Sequence, residues 1–187
     1  MSSENRRESI FSLRNLVQGY GHRSTALSQW INFKRYLIVG MFLAGLYVFQ
    51  YLSGLQWSGL LIVQSDMAYK QLSGYLLLIA LLYQWRLSKE RNFNRLARRP
   101  RVLKNHKWVG AFLPLPLFFH AIQPGYGYQY VLTASFLLCI VVGLFNTETV
   151  RVQCKTCLFI WTLLHIILAV MTLILVVFHI YVVYAYS

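Results

Sequence analysis

Long apolar segments dominate this chain and limit the folds it can adopt. The longest runs from Cys157 to Tyr184, and its polar residues are almost confined to Thr162, Thr172 and two histidines. Such a segment is too long for a core strand and too evenly apolar for an amphipathic surface helix. Crossing the hydrocarbon of a bilayer takes about 20 apolar residues. The segment therefore predicts a membrane-spanning helix.

Five segments of this kind predict an all-α, multi-pass transmembrane helical bundle of about five spans. They are Tyr36 to about Leu55 (extendable to Val63), Met67 to Trp85, Leu103 to Ile122, about Tyr126 to Phe145, and Cys157 to Tyr184. The second has Asp66 and Lys70 at its entrance, and Lys70 can snorkel to the headgroups. Residues 1–35 are polar and basic, so we expect an N-terminal arm rather than a secretory signal. Residues 36–187 are then one helical domain.

Composition excludes the soluble alternatives. Of the 187 residues, 57% are hydrophobic and 12% are charged, whereas a soluble domain usually carries about twice that charged fraction. A soluble globular enzyme, a disordered chain and a disulfide-stapled secreted domain are all inconsistent with these values.

The positive charges predict the orientation of the bundle. With five crossings, 17 of the 18 Lys and Arg fall on one side: in the N-terminal arm, in the basic loop 86–107, and between the fourth and fifth spans. The positive-inside rule then places the N-terminus in the cytoplasm and Ser187 outside, most simply in a plasma (inner) membrane. The net charge of +13 indicates topology and contact with anionic lipids rather than nucleic acid. The alternative for loop 86–107 is an acidic cytoplasmic partner.

Four histidines lie within the predicted spans, where ionisable side chains are rare and usually functional. His106 and His120 are in the third span, and His165 and His179 are in the fifth; both pairs are 14 residues apart. That separation is about 3.9 turns and about 21 Å, so each helix presents two imidazoles on one face. Both spans run outward, so His106 and His165 are expected near the cytoplasmic side. His120 and His179 are expected near the outer side.

Two parallel helices with matched histidines predict two haem b groups, each held axially by one imidazole from each helix. Zinc would need about four converging ligands, and a proton relay would need carboxylates that the span interiors lack. If His106, at the membrane edge beside Lys104 and Lys107, is not a ligand, one haem remains. The alternative is a non-catalytic assembly or scaffold subunit without haem, whose histidines only bond neighbouring helices. A small transporter or channel lacks charged midplane residues here.

Other residues near the histidines are candidates for supporting roles. Glycines that could allow close approach are Gly40, Gly45, Gly110 and Gly143. Aromatic residues that could pack on a porphyrin are Phe118, Phe119, Trp161 and Phe178. Cations that could pair with haem propionates are Arg86 and Lys70. Pro114 and Pro116 should kink the third span between its histidines.

The histidine pairs His106/His120 and His165/His179, on the third and fifth spans after a strongly basic loop, resemble the ferric reductase-like transmembrane domain over residues 36–184. The resemblance implies transfer of single electrons across the bilayer to an outer acceptor. The family domain usually has six spans rather than five, and no flavin and nicotinamide domain follows the bundle. We therefore expect a subunit of a larger oxidoreductase, reduced by another polypeptide, a quinol or a soluble carrier. Cytochrome b of the quinol-oxidising bc complexes has a similar spacing, on its second and fourth spans.

The cysteines give a weaker signal. Cys154 and Cys157 form a C-x-x-C before the fifth span, and Cys139 lies in the fourth span. A zinc or iron–sulfur site needs about four ligands and no second C-x-x-C is present. Ordinary interfacial thiols, a redox dithiol and a site completed by a partner subunit all remain open. Leu158 follows Cys157, so there is no signal for c-type haem attachment.

Overall fold

The computed structural model describes residues 35–86, 99–145 and 155–186. These residues are helical, with no β-strand among them. The helices are α1 (Arg35–Ser53), α2 (Ser58–Ser65), α3 (Met67–Gln84), α4 (Arg99–Phe112), α5 (Pro114–His120), α6 (Tyr128–Leu144) and α7 (Lys155–Ala185). The N-terminal arm before Arg35, most of the basic loop, Arg151 and Cys154 lie outside the described residues.

The first predicted span ends earlier than its longest predicted extent. Helix α1 stops at Ser53, and Gly54 adopts a φ of 64°, a left-handed conformation that glycine tolerates best. The Gln50 side-chain amide donates to the Leu55 carbonyl oxygen at 2.9 Å, which holds the chain as it leaves the helix. Ser58 to Val63 therefore belong to the separate helix α2 rather than to α1.

Asp66 has a local structural role at the junction of α2 and α3. Its backbone is extended, and its carboxylate accepts a hydrogen bond from the Tyr69 backbone N–H at 2.8 Å. Asp66 is therefore the N-cap of α3, and a carboxylate suits this position because the first N–H groups of a helix have no partner within it.

The two prolines of the third predicted span interrupt it. Pro114 has no N–H to donate, and the Gly110 carbonyl oxygen instead accepts from Leu113 at 3.3 Å. Leu113 keeps helical dihedral angles, and the Leu117 N–H donates to the Leu113 carbonyl oxygen at 3.3 Å. Helices α4 and α5 are thus one helical path from Arg99 to His120 with a break at Leu113, as the prolines predict.

Helix packing places α7 against α6 and α5 against α3, while α4 contacts both α6 and α3. The Cα atoms of α7 rarely come within 8 Å of those of α4 and α5. The helical path α4–α5 and helix α7, which carry the four histidines, are therefore separated by a gap between their backbones.

Between α6 and α7 the centre of contact is polar. The Thr172 hydroxyl lies 3.3 Å from the Ser135 hydroxyl and 2.8 Å from the Leu168 carbonyl oxygen. Both side chains are buried, and a buried hydroxyl needs such a partner. Thr172 lies seven residues from His165 and seven from His179, so this contact sits midway along the histidine face of α7.

Two of the described helices, α1 and α7, are long and apolar enough to cross a membrane. Helix α6 is apolar but has 17 residues. Almost none of the most apolar stretch of α7 is buried within the protein, and many of its large apolar side chains are exposed. The prediction of five crossings goes beyond these two helices.

Candidate functional site

The four predicted histidines come together in two pairs, each joining α7 to the helical path α4–α5. The ring centroids of His106 and His165 are 6.3 Å apart, and those of His120 and His179 are 6.4 Å apart. In both pairs the ring planes make an angle of 86°. These are the two combinations that the matched spacing predicts, one imidazole from each helix at each level.

The end of α3 holds His106. Gln84 is the last residue of α3, where carbonyl groups have no partner within the helix. Its carbonyl oxygen lies 3.2 Å from Nδ1 of His106, and its side-chain amide donates to the His106 carbonyl oxygen at 3.3 Å. Because the Gln84 carbonyl is only an acceptor, Nδ1 of His106 carries the proton and Nε2 is left with a lone pair.

Cys139 and Trp161 fix the ring of His165. Cys139 of α6 places its Sγ 3.7 Å from Nδ1. Trp161, one turn earlier on α7, stacks on the imidazole with centroids 5.9 Å apart and planes within 3°. The Trp161 indole N–H is in turn bound to the Val142 carbonyl oxygen of α6 at 2.9 Å. The imidazole is thereby held at its face and at one edge.

His120 is the last residue of α5 and is bound by α3. The Ser73 hydroxyl lies 3.0 Å from Nδ1 of His120 and 2.8 Å from the Tyr69 carbonyl oxygen. Since the hydroxyl hydrogen is directed to that carbonyl, the Ser73 oxygen accepts from Nδ1–H. Nε2 of His120 again has a free lone pair.

His179 is bound by the first residue of α6. The Tyr128 hydroxyl lies 3.3 Å from Nδ1 of His179, and the two rings are 6.0 Å apart. Phe178 packs edge-on against the Tyr128 ring at 5.0 Å. This aromatic contact limits where the phenol, and with it the imidazole, can lie.

The four histidines thus share one arrangement: Nδ1 meets a polar group on another helix. Among the described residues, no hydrogen bond joins the two rings of either pair. A histidine that ligates a metal through Nε2 usually binds a second group through Nδ1, which fixes its tautomer and orientation. His106 and His120 therefore present an Nε2 lone pair, and His165 and His179 present one when their Nδ1–H donates to Cys139 Sγ and to the Tyr128 hydroxyl oxygen.

Two glycines lie directly against the imidazoles. A Cβ at Gly74 would come within 3.1 Å of Cε1 of His120, and a Cβ at Gly143 within 2.9 Å of Cε1 of His165. Gly143 was among the glycines that the sequence indicates. Gly74 was missed, although a glycine in a predicted span beside Ser73 is a usable signal of close helix approach.

The other candidate glycines do not touch a histidine. A Cβ at Gly40 would meet Leu144 and the Ala111 backbone, and one at Gly110 would meet the Gln84 side chain. Gly45 has nothing within 4 Å of its Cβ position. Gly40 and Gly110 thus allow close packing with neighbouring residues, whereas the described residues show no packing role for Gly45.

Several remaining candidates lie away from the histidine rings. The Arg86 guanidinium sits over the Tyr83 ring at 5.9 Å, and Phe118 packs on Phe119 at 5.8 Å. Lys70 and Cys157 are exposed. Within the described part of the chain, no group of three or more His, Cys, Asp or Glu side chains could hold a metal. A metal at either pair would need its remaining ligands from another molecule, such as a macrocycle.

The sequence matches no protein-family model, no curated protein and no solved structure. The resemblance to ferric reductase-like domains therefore stays a prediction that depends on the histidine pattern.

The close approach of Gly143 to His165 makes a measurable prediction. Gly143→Ala should lower the thermal stability of the detergent-solubilised protein, because its Cβ would force the imidazole or α6 to shift, at a cost of about 1–3 kcal/mol. Gly45→Ala is the matched control: it is also helical, meets nothing, and should be neutral or stabilising by about 0.5–1 kcal/mol. Equal melting temperatures for the two variants would contradict the packing described for His165.

Proposed function

We propose that this chain is a di-haem b-type membrane cytochrome that carries electrons across the bilayer as a subunit of a larger oxidoreductase. The observation that carries the proposal is the geometry of the two histidine pairs, His106 with His165 and His120 with His179. In each pair the ring separation is the one that ligation of a metal between two imidazoles requires.

The ring separation can be compared with simple coordination geometry. A metal midway between two imidazole nitrogens, at about 2 Å from each, puts the ring centroids roughly 6.3 Å apart. The observed values are 6.3 and 6.4 Å. The two rings of each pair are neither hydrogen-bonded to each other nor stacked face to face; they meet in a T-shaped arrangement.

The surroundings of the pairs fit a planar cofactor. The backbone of α7 stands apart from those of α4 and α5, as a planar group between the helices would require. Gly74 and Gly143 leave no side chain where the imidazole edges lie. Both pairs supply two neutral nitrogen donors and no thiolate or carboxylate, which suits a haem iron whose other ligands are porphyrin nitrogens.

Haem would supply one-electron chemistry, since its iron gains and loses a single electron without changing its ligands. The chain's own residues hold the two sites about 21 Å apart along the helices, which covers most of the hydrocarbon thickness of about 30 Å. Gln84, Ser73, Cys139 and Tyr128 fix the imidazoles and tune their basicity through Nδ1. With both axial positions filled by histidine, the sites are suited to relay rather than to bind a substrate.

A membrane location is supported by the exposed apolar surface. Helices α1 and α7 are long enough to span, and the exposed side chains of α7 include Phe159, Ile174 and Val177, each more than half exposed. An apolar patch of this extent indicates contact with lipid. Helix α3 has 18 residues, α6 has 17, and the path α4–α5 runs from 99 to 120. Those lengths are within the range of about 17–25 residues for a crossing.

Within this proposal the chain crosses a plasma membrane five times, and the distribution of Lys and Arg supports five crossings and a cytoplasmic N-terminus. The electron donor is a cytoplasmic subunit, a soluble carrier or a quinol, and the acceptor is on the outer side. Anionic lipids contact the basic segments.

One observation favours a second candidate function, a membrane assembly subunit without haem. Each imidazole already makes an interhelical contact through Nδ1, and such bonds alone stabilise helix association in membranes. This candidate does not explain why the two rings of each pair lie opposite each other at the same separation and angle in both pairs. The two candidates differ in whether the protein is coloured.

The haem content of the purified protein tests the proposal directly. We expect a red protein with a b-type visible spectrum and two haems per chain in a pyridine haemochrome assay. His120→Ala or His179→Ala should remove one haem, and His106→Ala or His165→Ala should remove the other. His22→Ala, in the N-terminal arm, is the control and should keep both.

A folded, colourless wild-type protein would exclude the proposal in favour of the assembly subunit. One haem that is lost with His120→Ala and retained with His106→Ala would restrict the proposal to the His120–His179 pair.

The ring planes predict a spectroscopic signature. Imidazole planes at 86° interact almost equally with the two iron orbitals that can π-bond to them, whereas parallel planes separate those orbitals in energy. The oxidised protein should therefore give strongly axial low-spin ferric signals in electron paramagnetic resonance at both sites. Rhombic signals typical of parallel imidazoles would contradict the ring orientations described above.

The number of crossings predicts that the chain termini lie on opposite sides of the membrane. An epitope placed after Ser187 should be digested when protease is added to intact cells, because five crossings put this end outside. An epitope before Met1 should be protected until the membrane is opened. Protection or digestion of both epitopes together would mean an even number of crossings.

A further inference from the structure

The carboxyl end of α5, which carries His120, is held by side chains from three other helices. The last carbonyl groups of a helix have no partner within it, and α5 has only seven residues. Its short length makes the position of His120 depend on how these groups are bound. This dependence goes beyond the direct contact of His120 with Ser73.

Gln64 of α2 provides most of this binding. Its side-chain amide nitrogen donates to the Phe119 carbonyl oxygen at 2.9 Å and to the Phe118 carbonyl oxygen at 3.1 Å. Its side-chain oxygen accepts from the Ile122 backbone N–H at 3.3 Å. One side chain therefore binds the chain on both sides of His120.

Two tyrosines complete the arrangement. The Tyr69 hydroxyl of α3 donates to the Phe119 carbonyl oxygen at 3.0 Å, and the Tyr47 hydroxyl of α1 donates to the Ala121 carbonyl oxygen at 3.2 Å. We call Gln64, Tyr47 and Tyr69 together the α5 cap.

Gln64 and Tyr47 of the α5 cap are buried, so losing one of their hydrogen bonds would cost more free energy than at an exposed position. Gln64 is 8% exposed, Tyr47 is 3% exposed and Ile122 is 1% exposed. Water cannot readily replace a lost partner at such positions, and an unbound carbonyl or N–H there is costly. Removing the Gln64 amide would leave the Phe118 carbonyl and the Ile122 N–H without this partner, and the Phe119 carbonyl with the Tyr69 hydroxyl alone, so the segment would move to find new partners.

We propose that Gln64 is a positioning residue for the His120–His179 haem site: it fixes the end of α5 so that His120 faces His179. The inference rests on the proposed haem function. It assigns no contact between Gln64 and a cofactor, and the effect on that site is transmitted through the backbone of α5.

Gln50 offers a matched control. It is also a buried glutamine, 7% exposed, on neighbouring α1. Its amide nitrogen donates to the Leu55 carbonyl oxygen, and its side-chain oxygen has no partner among the described residues. Gln50 makes no hydrogen bond to α5, so its replacement removes a buried amide without touching the end that carries His120.

The test compares Gln64→Leu and Gln50→Leu in the full chain, purified with haem. We expect Gln64→Leu to lose most of the haem at the His120–His179 site, so that the content falls from two per chain toward one. The remaining haem should keep the paramagnetic resonance signal and midpoint potential of the His106–His165 site. Gln50→Leu should keep both haems, even if its melting temperature falls.

A milder variant decides the matter if Gln64→Leu does not accumulate. Tyr69→Phe removes one hydroxyl from the α5 cap and should shift the signal and potential of the His120–His179 haem alone. The inference would be overturned if Gln64→Leu kept both haems with unchanged signals. If Gln64→Leu cannot be purified, the same result for Tyr69→Phe would overturn it. So would equal loss at both sites, which indicates general destabilisation. A wild-type protein without haem would instead remove the proposed function itself.

Discussion

Burial of imidazole in an apolar bundle is the constraint on which this structure depends. A histidine between helices needs a partner for each polar nitrogen, because an unpaired polar group away from water costs several kcal/mol, in the range of about 2–7 kcal/mol. In this protein Nδ1 of every paired histidine meets a group on a neighbouring helix, and the partners come from the end of α3, from Ser73 and from α6. Helices α3 and α6 therefore do more than fill space. They orient all four imidazoles through contacts with Nδ1.

The two pairs share their geometry but differ in the chemistry of their partners. His106 and His165 meet a backbone carbonyl and a thiol, whereas His120 and His179 meet two hydroxyls. A carbonyl oxygen is a good acceptor and sulfur is a weak one. Within the proposed function, two irons with identical axial ligands would therefore have different electronic surroundings. The difference arises entirely from residues that do not ligate.

Much of the helical layout can be predicted from the sequence, because apolar segment length and proline position are local properties. The second predicted span, Met67 to Trp85, corresponds to α3 at Met67–Gln84, and the fifth corresponds to α7 at Lys155–Ala185. The apolar pattern continues into α2 and therefore does not locate the end of α1 at Ser53. The 14-residue spacing predicted the histidine pairs because it depends only on helix periodicity. Gln64, Ser73, Gln84 and Gly74 were missed, because their roles depend on the relative position of separate helices. A single sequence contains no direct measure of that position.

The Thr172–Ser135 contact has a consequence for the way the two sites are linked. Along α7, His165, Thr172 and His179 recur every seven residues, and they meet Cys139, Ser135 and Tyr128 in reverse order along α6. All three contacts share one register between two antiparallel helices. If α7 slid along α6 by one turn, His165 and His179 would both lose their α6 partners. A rigid helix cannot move at His165 while staying in place at His179. The positions of the two histidine pairs are thus coupled through α7, and the buried Thr172–Ser135 contact at the centre helps to hold the register on which both depend.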